Sequence, residues 1–453
     1  MSITGTAAEQ FHGRPAAYDR PRRAIVPSAD AFYVPPPGWA AASPGTVLQY
    51  RPVDIAAYGL IRQQVDAWQL LYRTMDVHGR PDAAVVTVLL PPTIDRERTR
   101  VLAYQCAIDS VTERGMPSFL FRAGAGIIGS APQTEYLFIA SALERGWVVC
   151  VADHGGMAGA FTAAREAGYR ALDGVRAALA FDELDLPTPA RVGLFGYSGG
   201  GMAAAWAAEM AKTYAPELDL VGTVAGSPVG DPAAILRALN GTALCGLAVM
   251  GISGLRRAYP AIERAVQTDT NGSARGLLDA ALTMSTVTAL FRFAWRNVDM
   301  LGPRPLEDIL AEPDIAAVLT EIRLGTHALS APIYVLQSLS DQAIPSAVVD
   351  AQVERYRVGG AHVTYLRDRW SEHISLAYLA LPLMLQWLSD RFDQQPLPAP
   401  SARSVRTVLG QPGVLREHAR IIRTVGRVLT GRRLRARSAP GAGAGRRRSV
   451  QSA

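Results

Sequence analysis

Arg191-Val192-Gly193-Leu194-Phe195-Gly196-Tyr197-Ser198-Gly199-Gly200 is the stretch that decides the fold. A short apolar run, Val192 to Phe195, reads as a buried strand. The glycines then let the chain turn sharply, and an Ala-rich helix opens immediately afterwards. Gly196-Tyr197-Ser198-Gly199-Gly200 matches G-x-S-x-G in a strand–turn–helix context, which exposes a serine oxygen at a helix N-terminus. The helix dipole and the amide of Gly199 favour negative charge developing beside Ser198.

Working outward, strand-like runs fall at 84–90, 101–107, 147–152, 191–195, 333–337 and 363–366. Several are continuously apolar, as in a parallel sheet covered on both faces. Helical stretches at 133–145, 161–181 and 201–212 lie between them, so the chain predicts a doubly wound α/β sheet. Residues 227–329 break that rhythm. They carry helical stretches at 232–240, 274–284, 286–297 and 305–322 and read as a helical cap inserted between two sheet strands. The expected organisation is a flexible segment at 1–31, a core at 32–226, the cap at 227–329, the rest of the core at 330–394, and a Pro-rich linker with an Arg-rich tail at 395–453.

The net charge of +6 conceals an asymmetry. Thirteen arginines and one glutamate fall from Ser401 onward, so that segment carries +12 and the first 400 residues carry −6. An acidic body excludes a nucleic-acid-binding core. Within the tail, apolar residues from Val414 to Leu429 recur at helical spacing between arginines, which fits either a basic face in peripheral contact with an anionic membrane or a solvated Arg-rich extension. The stretch 438–453 reads as low-complexity. Cys106, Cys150 and Cys245 are too few and too scattered for a disulfide scaffold or a zinc site, and no metal or cofactor is expected. No run approaches the 18 apolar residues of a transmembrane helix. Nor do the first residues resemble a signal peptide, so a cytoplasmic, peripheral-membrane or cell-envelope location is expected.

A serine alcohol needs a base, and the base needs a carboxylate to orient it. Downstream of Ser198 lie only His327, His362, His373 and His418. Asp341 ends a strand and its loop, where the acid belongs in the order Ser, acid, His. His373 sits in the loop after the next strand and is the favoured base; His362, at that strand's start, reads as structural. A second oxyanion donor should come from the loop after the third strand, which contains Asp109 and Ser110. The rival Asp153-His154-Gly155-Gly156 follows the fourth strand and reads as packing. Gly124-Ala125-Gly126-Ile127-Ile128-Gly129 mimics a dinucleotide fingerprint but does not open the first βα unit.

Assembled in order, these pieces resemble the secretory lipase family typified by fungal lipase A, and especially its actinobacterial branch. The resemblance runs from Phe32 to Phe392. Besides the serine motif it rests on Phe32-Tyr33-Val34-Pro35-Pro36-Pro37-Gly38-Trp39, Tyr104-Gln105-Cys106-Ala107-Ile108-Asp109-Ser110, Leu172-Asp173-Gly174-Val175-Arg176-Ala177, Tyr214-Ala215-Pro216-Glu217-Leu218-Asp219-Leu220 and Ser371-Glu372-His373-Ile374. It implies an α/β-hydrolase with a helical cap over an acyl-chain pocket, acting as a triacylglycerol lipase or carboxylesterase. The nucleophile falls on Ser198, the acid on Asp341, the base on His373 and the oxyanion contributors on Gly199 and Asp109. Members are typically secreted, which leaves export by another route open. Competing readings are an acyltransferase, an amidase or peptidase with the same residues, or a non-catalytic membrane- or partner-binding protein. Oligomeric state is not legible.

Overall fold

The computed structural model describes residues 14–15, 23–127, 130–187 and 189–436. Its centre is a twisted sheet of eleven strands: β1 (Arg14–Pro15), β2 (Val47–Pro52), β3 (Ala67–Met75), β4 (Pro81–Leu89), β5 (Arg100–Gln105), β6 (Val148–Ala152), β7 (Arg191–Tyr197), β8 (Asp219–Gly226), β9 (Ile333–Ser338), β10 (Val363–Asp368) and β11 (Ser401–Val405). They lie in the order β1-β2-β3-β4-β6-β5-β7-β8-β9-β10-β11. From β6 to β11 every pairing is parallel, while β2, β3, β4 and β6 pair antiparallel in turn. β6 is a continuous apolar run and is buried along its whole length, as a strand covered on both faces must be; β9 is buried throughout as well, including Gln337 and Ser338 at its end.

Helices α1 (Ala131–Leu143), α2 (Ala164–Leu179) and α3 (Gly199–Tyr214) connect the central strands. Between β8 and β9 the chain leaves the sheet for α4 (Pro232–Leu239), α5 (Cys245–Ala258), α6 (Pro260–Asp269), α7 (Gly272–Ala281), α8 (Thr286–Phe293), α9 (Leu306–Leu310) and α10 (Pro313–Glu321). The single helix expected at 305–322 is two, because Pro313 has no amide to donate and holds Glu312 extended at ψ 135°. α11 (Ser346–Val358) follows β9. After β10 come α12 (His373–Leu379), α13 (Leu381–Phe392) and α14 (Val414–Leu429).

The ends of the chain differ most from expectation. Residues 14–15 pair with Gln49 and Tyr50 at the sheet edge, and Ala24 is buried beside Phe119 and Leu120. The expected linker and tail instead extend the fold. Ser401–Val405 pairs in register with Thr364–Asp368, and α14 packs against α1 with Val414, Ile421, Thr424 and Val428 buried. The low-complexity stretch 438–453 lies outside the described residues. Among the described residues no helix is long and apolar enough to cross a membrane.

Candidate active site

Ser198 occupies the turn between β7 and α3 with φ 55° and ψ −121°, a strained conformation for a residue with a side chain. The flanking glycines make the turn possible. A β-carbon on Gly196 would collide with the carbonyl of Gly200, and one on Gly200 with the carbonyl of Gln105. Ser198 N–H donates to Gly226 O (2.9 Å), which ties the elbow to β8. Gly199 is the first residue of α3, so its amide has no intrahelical acceptor.

The structure brings Ser198, His373 and Asp341 into one hydrogen-bonded line. His373 Nε2 lies 3.0 Å from Ser198 Oγ, and Nδ1 lies 2.8 Å from Asp341 Oδ2. With Nδ1–H donated to the carboxylate, Nε2 is left to accept the serine proton. The Asp341 carboxyl is fully buried. Its Oδ1 accepts the amides of Ala343 (2.9 Å) and Ile344 (2.7 Å), and Gln337 Nε2 donates to Oδ2 (3.2 Å).

Several supports for His373 carry no signature in the sequence. Tyr197 OH donates to His373 O (2.6 Å), and Glu372 caps α12 by accepting Ile374 N (2.9 Å) and Ser375 N (2.6 Å). Burial alone would raise the Glu372 carboxyl. Hydrogen bonds from Gln342, Ile374 and Ser375 outweigh that and hold it down to about 2. Asp368, at the end of β10, accepts the amides of Trp370 (2.8 Å) and Ser371 (2.7 Å), fixing the loop that precedes the histidine.

Asp109 lies in the loop after β5 at φ 39°, and its backbone carbonyl accepts a hydrogen bond from Thr286 at the start of α8. Its carboxyl presses on Gly199: a β-carbon there would collide with Asp109 Oδ1. Burial pushes that carboxyl up to about 6, against the pull of His373. Glu135 of α1, which sequence reasoning passed over, accepts the amide of Ala107 (3.0 Å) and so pins the same loop. Burial pushes Glu135 up to about 8.

The rival groups are engaged elsewhere. His154 Nε2 meets Cys106 O (2.7 Å), and Asp153 accepts the amide of Ser118 (2.9 Å). His362 faces Pro398 O, His327 faces Glu209 and His418 faces Leu379 O. In the mock dinucleotide motif, Gly124 and Gly126 sit at φ 89° and 77° in a loop before α1, and Gly129 lies outside the described residues. Among the described residues no cluster of His, Cys, Asp or Glu is placed to hold a metal ion.

Ser198, Asp109 and His373 open into a cavity of about 1160 Å³ bounded by α8 through Thr286, Val287 and Leu290. A narrower apolar chamber of about 70 Å³ leads from Ser198 between α4 and α5. Leu236, Ile252, Leu255 and Leu319 are shared walls between it and a further chamber of about 90 Å³ among α6, α9 and α10.

Residues 121–399 match the family model described as secretory lipase. A Mycobacterium tuberculosis protein named "probable inactive lipase" is 42% identical over 436 residues, covering 96% of this chain and 98% of that one. Lipase A of Arthroderma benhamiae is 34% identical over 397 residues, covering 84% and 82%. The crystal structure of Candida antarctica lipase A superposes with a TM-score of 0.79 at 24% identity, covering 88% of this chain and 95% of that one. The fold is therefore that of an α/β-hydrolase with a large, mostly parallel sheet. On the match over 121–399 and the extent of these identities, the chain belongs to the secretory lipase family.

Proposed function

We propose that the protein hydrolyses carboxylic esters of acyl lipids through an acyl-enzyme on Ser198. The observation that carries this reading is the line Ser198 Oγ – His373 – Asp341, at 3.0 Å and 2.8 Å. In this reaction His373 takes the serine proton while Oγ attacks the ester carbonyl, and buried Asp341 stabilises the imidazolium. Gly199 N–H and the protonated carboxyl of Asp109 receive the oxyanion. Collapse breaks the ester C–O bond, and His373 returns its proton to the departing alcohol. Water, deprotonated by His373, then releases the acid and restores the serine.

Helices α4–α10 act as the cap, and the apolar chambers between them take the acyl chain. Their lining starts at Ser198 and is mostly aliphatic, with Asp269, Thr270 and Arg304 at the further chamber, which favours esters with a substantial hydrocarbon acyl group. A second reading is a protein of this fold without turnover, favoured by the name of the mycobacterial relative. Hydrolysis of 4-nitrophenyl esters from acetyl to palmitoyl separates the two. Turnover that rises with chain length supports hydrolysis, whereas acyl binding without product release supports the second reading.

A further inference from the structure

α14 is a docked helix with a second apolar face. Its inward side is fixed by Val414, Ile421 and Val428 in the core, by Arg145–Glu417 (3.0 Å), and by Thr424 Oγ1 donating to Glu144 (2.6 Å). Its outward side carries Leu415, Ile422 and Leu429, which are 67%, 68% and 49% exposed. These three recur every seventh residue and align as one strip, with exposed Ala419 and Gly426 between them. Arg416 and Arg423 lie exposed beside the strip, and Arg432 and Arg433 just beyond its end. Among the described residues none of these four has a carboxylate partner.

Three side chains fall well short of the roughly 800 Å² per partner of a stable protein interface. A nucleic-acid backbone would use the arginines and leave the apolar strip unserved. An anionic bilayer uses both: aliphatic side chains enter the acyl boundary while guanidinium groups sit among charged headgroups. The charge distribution adds orientation, since the first 400 residues carry −6 and are repelled from the surface that attracts this face. We propose that the outward face of α14 docks the protein on an anionic lipid surface. This goes beyond the ester-hydrolase reading and does not depend on turnover.

Sedimentation of the full chain with two vesicle types tests it: phosphatidylcholine alone, and phosphatidylcholine with one-third phosphatidylserine. The wild type should bind the anionic vesicles at least about tenfold more tightly. Combined substitution of Arg416, Arg423, Arg432 and Arg433 by Gln should abolish that preference. Leu415→Ser with Ile422→Ser and Leu429→Ser should weaken binding about tenfold or more, with unchanged Tm. Equal binding to the two vesicle types would overturn the proposal. So would binding that survives both variants and is lost only on removing residues 437–453. Competition by polyglutamate as strong as that by vesicles would instead assign the face to an acidic protein partner and also overturn it. Hydrolysis of a short soluble ester should be the same in wild type and both variants, so absence of turnover would count against the ester reading alone.

Discussion

If the oxyanion is received by the carboxyl of Asp109, that carboxyl must carry its proton, and activity must fall as pH rises through its titration. Burial beside Gly199 raises Asp109 to about 6. The protonated donor is therefore present below that value and lost above it. At pH 8 on the order of 1% of molecules retain it. Losing one oxyanion donor costs about 10²–10³-fold in kcat. The alkaline fall should thus approach about 100-fold by pH 8 and then level, because Gly199 N–H remains. Asp109→Asn keeps a donor of the same shape and removes this carboxyl's titration, so the alkaline fall should be absent from it. Asp109→Ala should show the low activity at every pH. The assay is kcat/KM for a soluble butyryl ester from pH 4.5 to 9 at constant ionic strength. An Asp109→Asn enzyme with the wild-type alkaline limb, or an Asp109→Ala enzyme with full activity, would refute the role.

Three further outcomes follow from the geometry. Gly196→Ala should cost about 3 kcal/mol in urea unfolding, because its β-carbon meets backbone rather than a movable side chain. Glu135→Gln should stabilise the protein more at pH 8 than at pH 4.5. The unfolded carboxyl ionises near 4.5, whereas the native one holds its proton to about 8, so wild-type stability falls across that window. Urea titrations at both pH values check the sign. Leu255→Trp, placed where the two apolar chambers meet, should spare butyryl esters and depress palmitoyl hydrolysis by about tenfold or more. A chain-length profile of the variant reads this directly.

The parts of the site that were legible are those written in local sequence. The elbow announces itself because Gly196 is demanded by the backbone of Gly200 only four residues on, within a G-x-S-x-G pattern that opens a helix. Asp341 and His373 follow apolar strands in the required order. Glu135 was illegible because its partner, the amide of Ala107, lies across the fold, and an acidic residue in a helix carries no mark of such a role. Tyr197 escaped for the same reason.

In the fold, the parallel strands β5, β6, β7, β9 and β10 are legible as apolar runs, whereas β8 is not, because Asp219-Leu220-Val221-Gly222-Thr223 mixes charge, glycine and hydroxyl into its first half. β11 was not, because Ser401–Val405 is largely exposed and is held by edge pairing with β10 rather than by burial. α14 was visible as an amphipathic period. What the sequence could not say is that its core-facing side is already occupied by α1, leaving a different strip outward.

The central claim is that Ser198 is an activated nucleophile. Intact-mass analysis after brief exposure to a fluorophosphonate measures this without a guess at the substrate. One adduct per chain, mapped to Ser198, absent in Ser198→Ala and strongly slowed in His373→Ala, is the expected result. A folded wild-type chain that remains unlabelled, or that labels equally after Ser198→Ala, would contradict it.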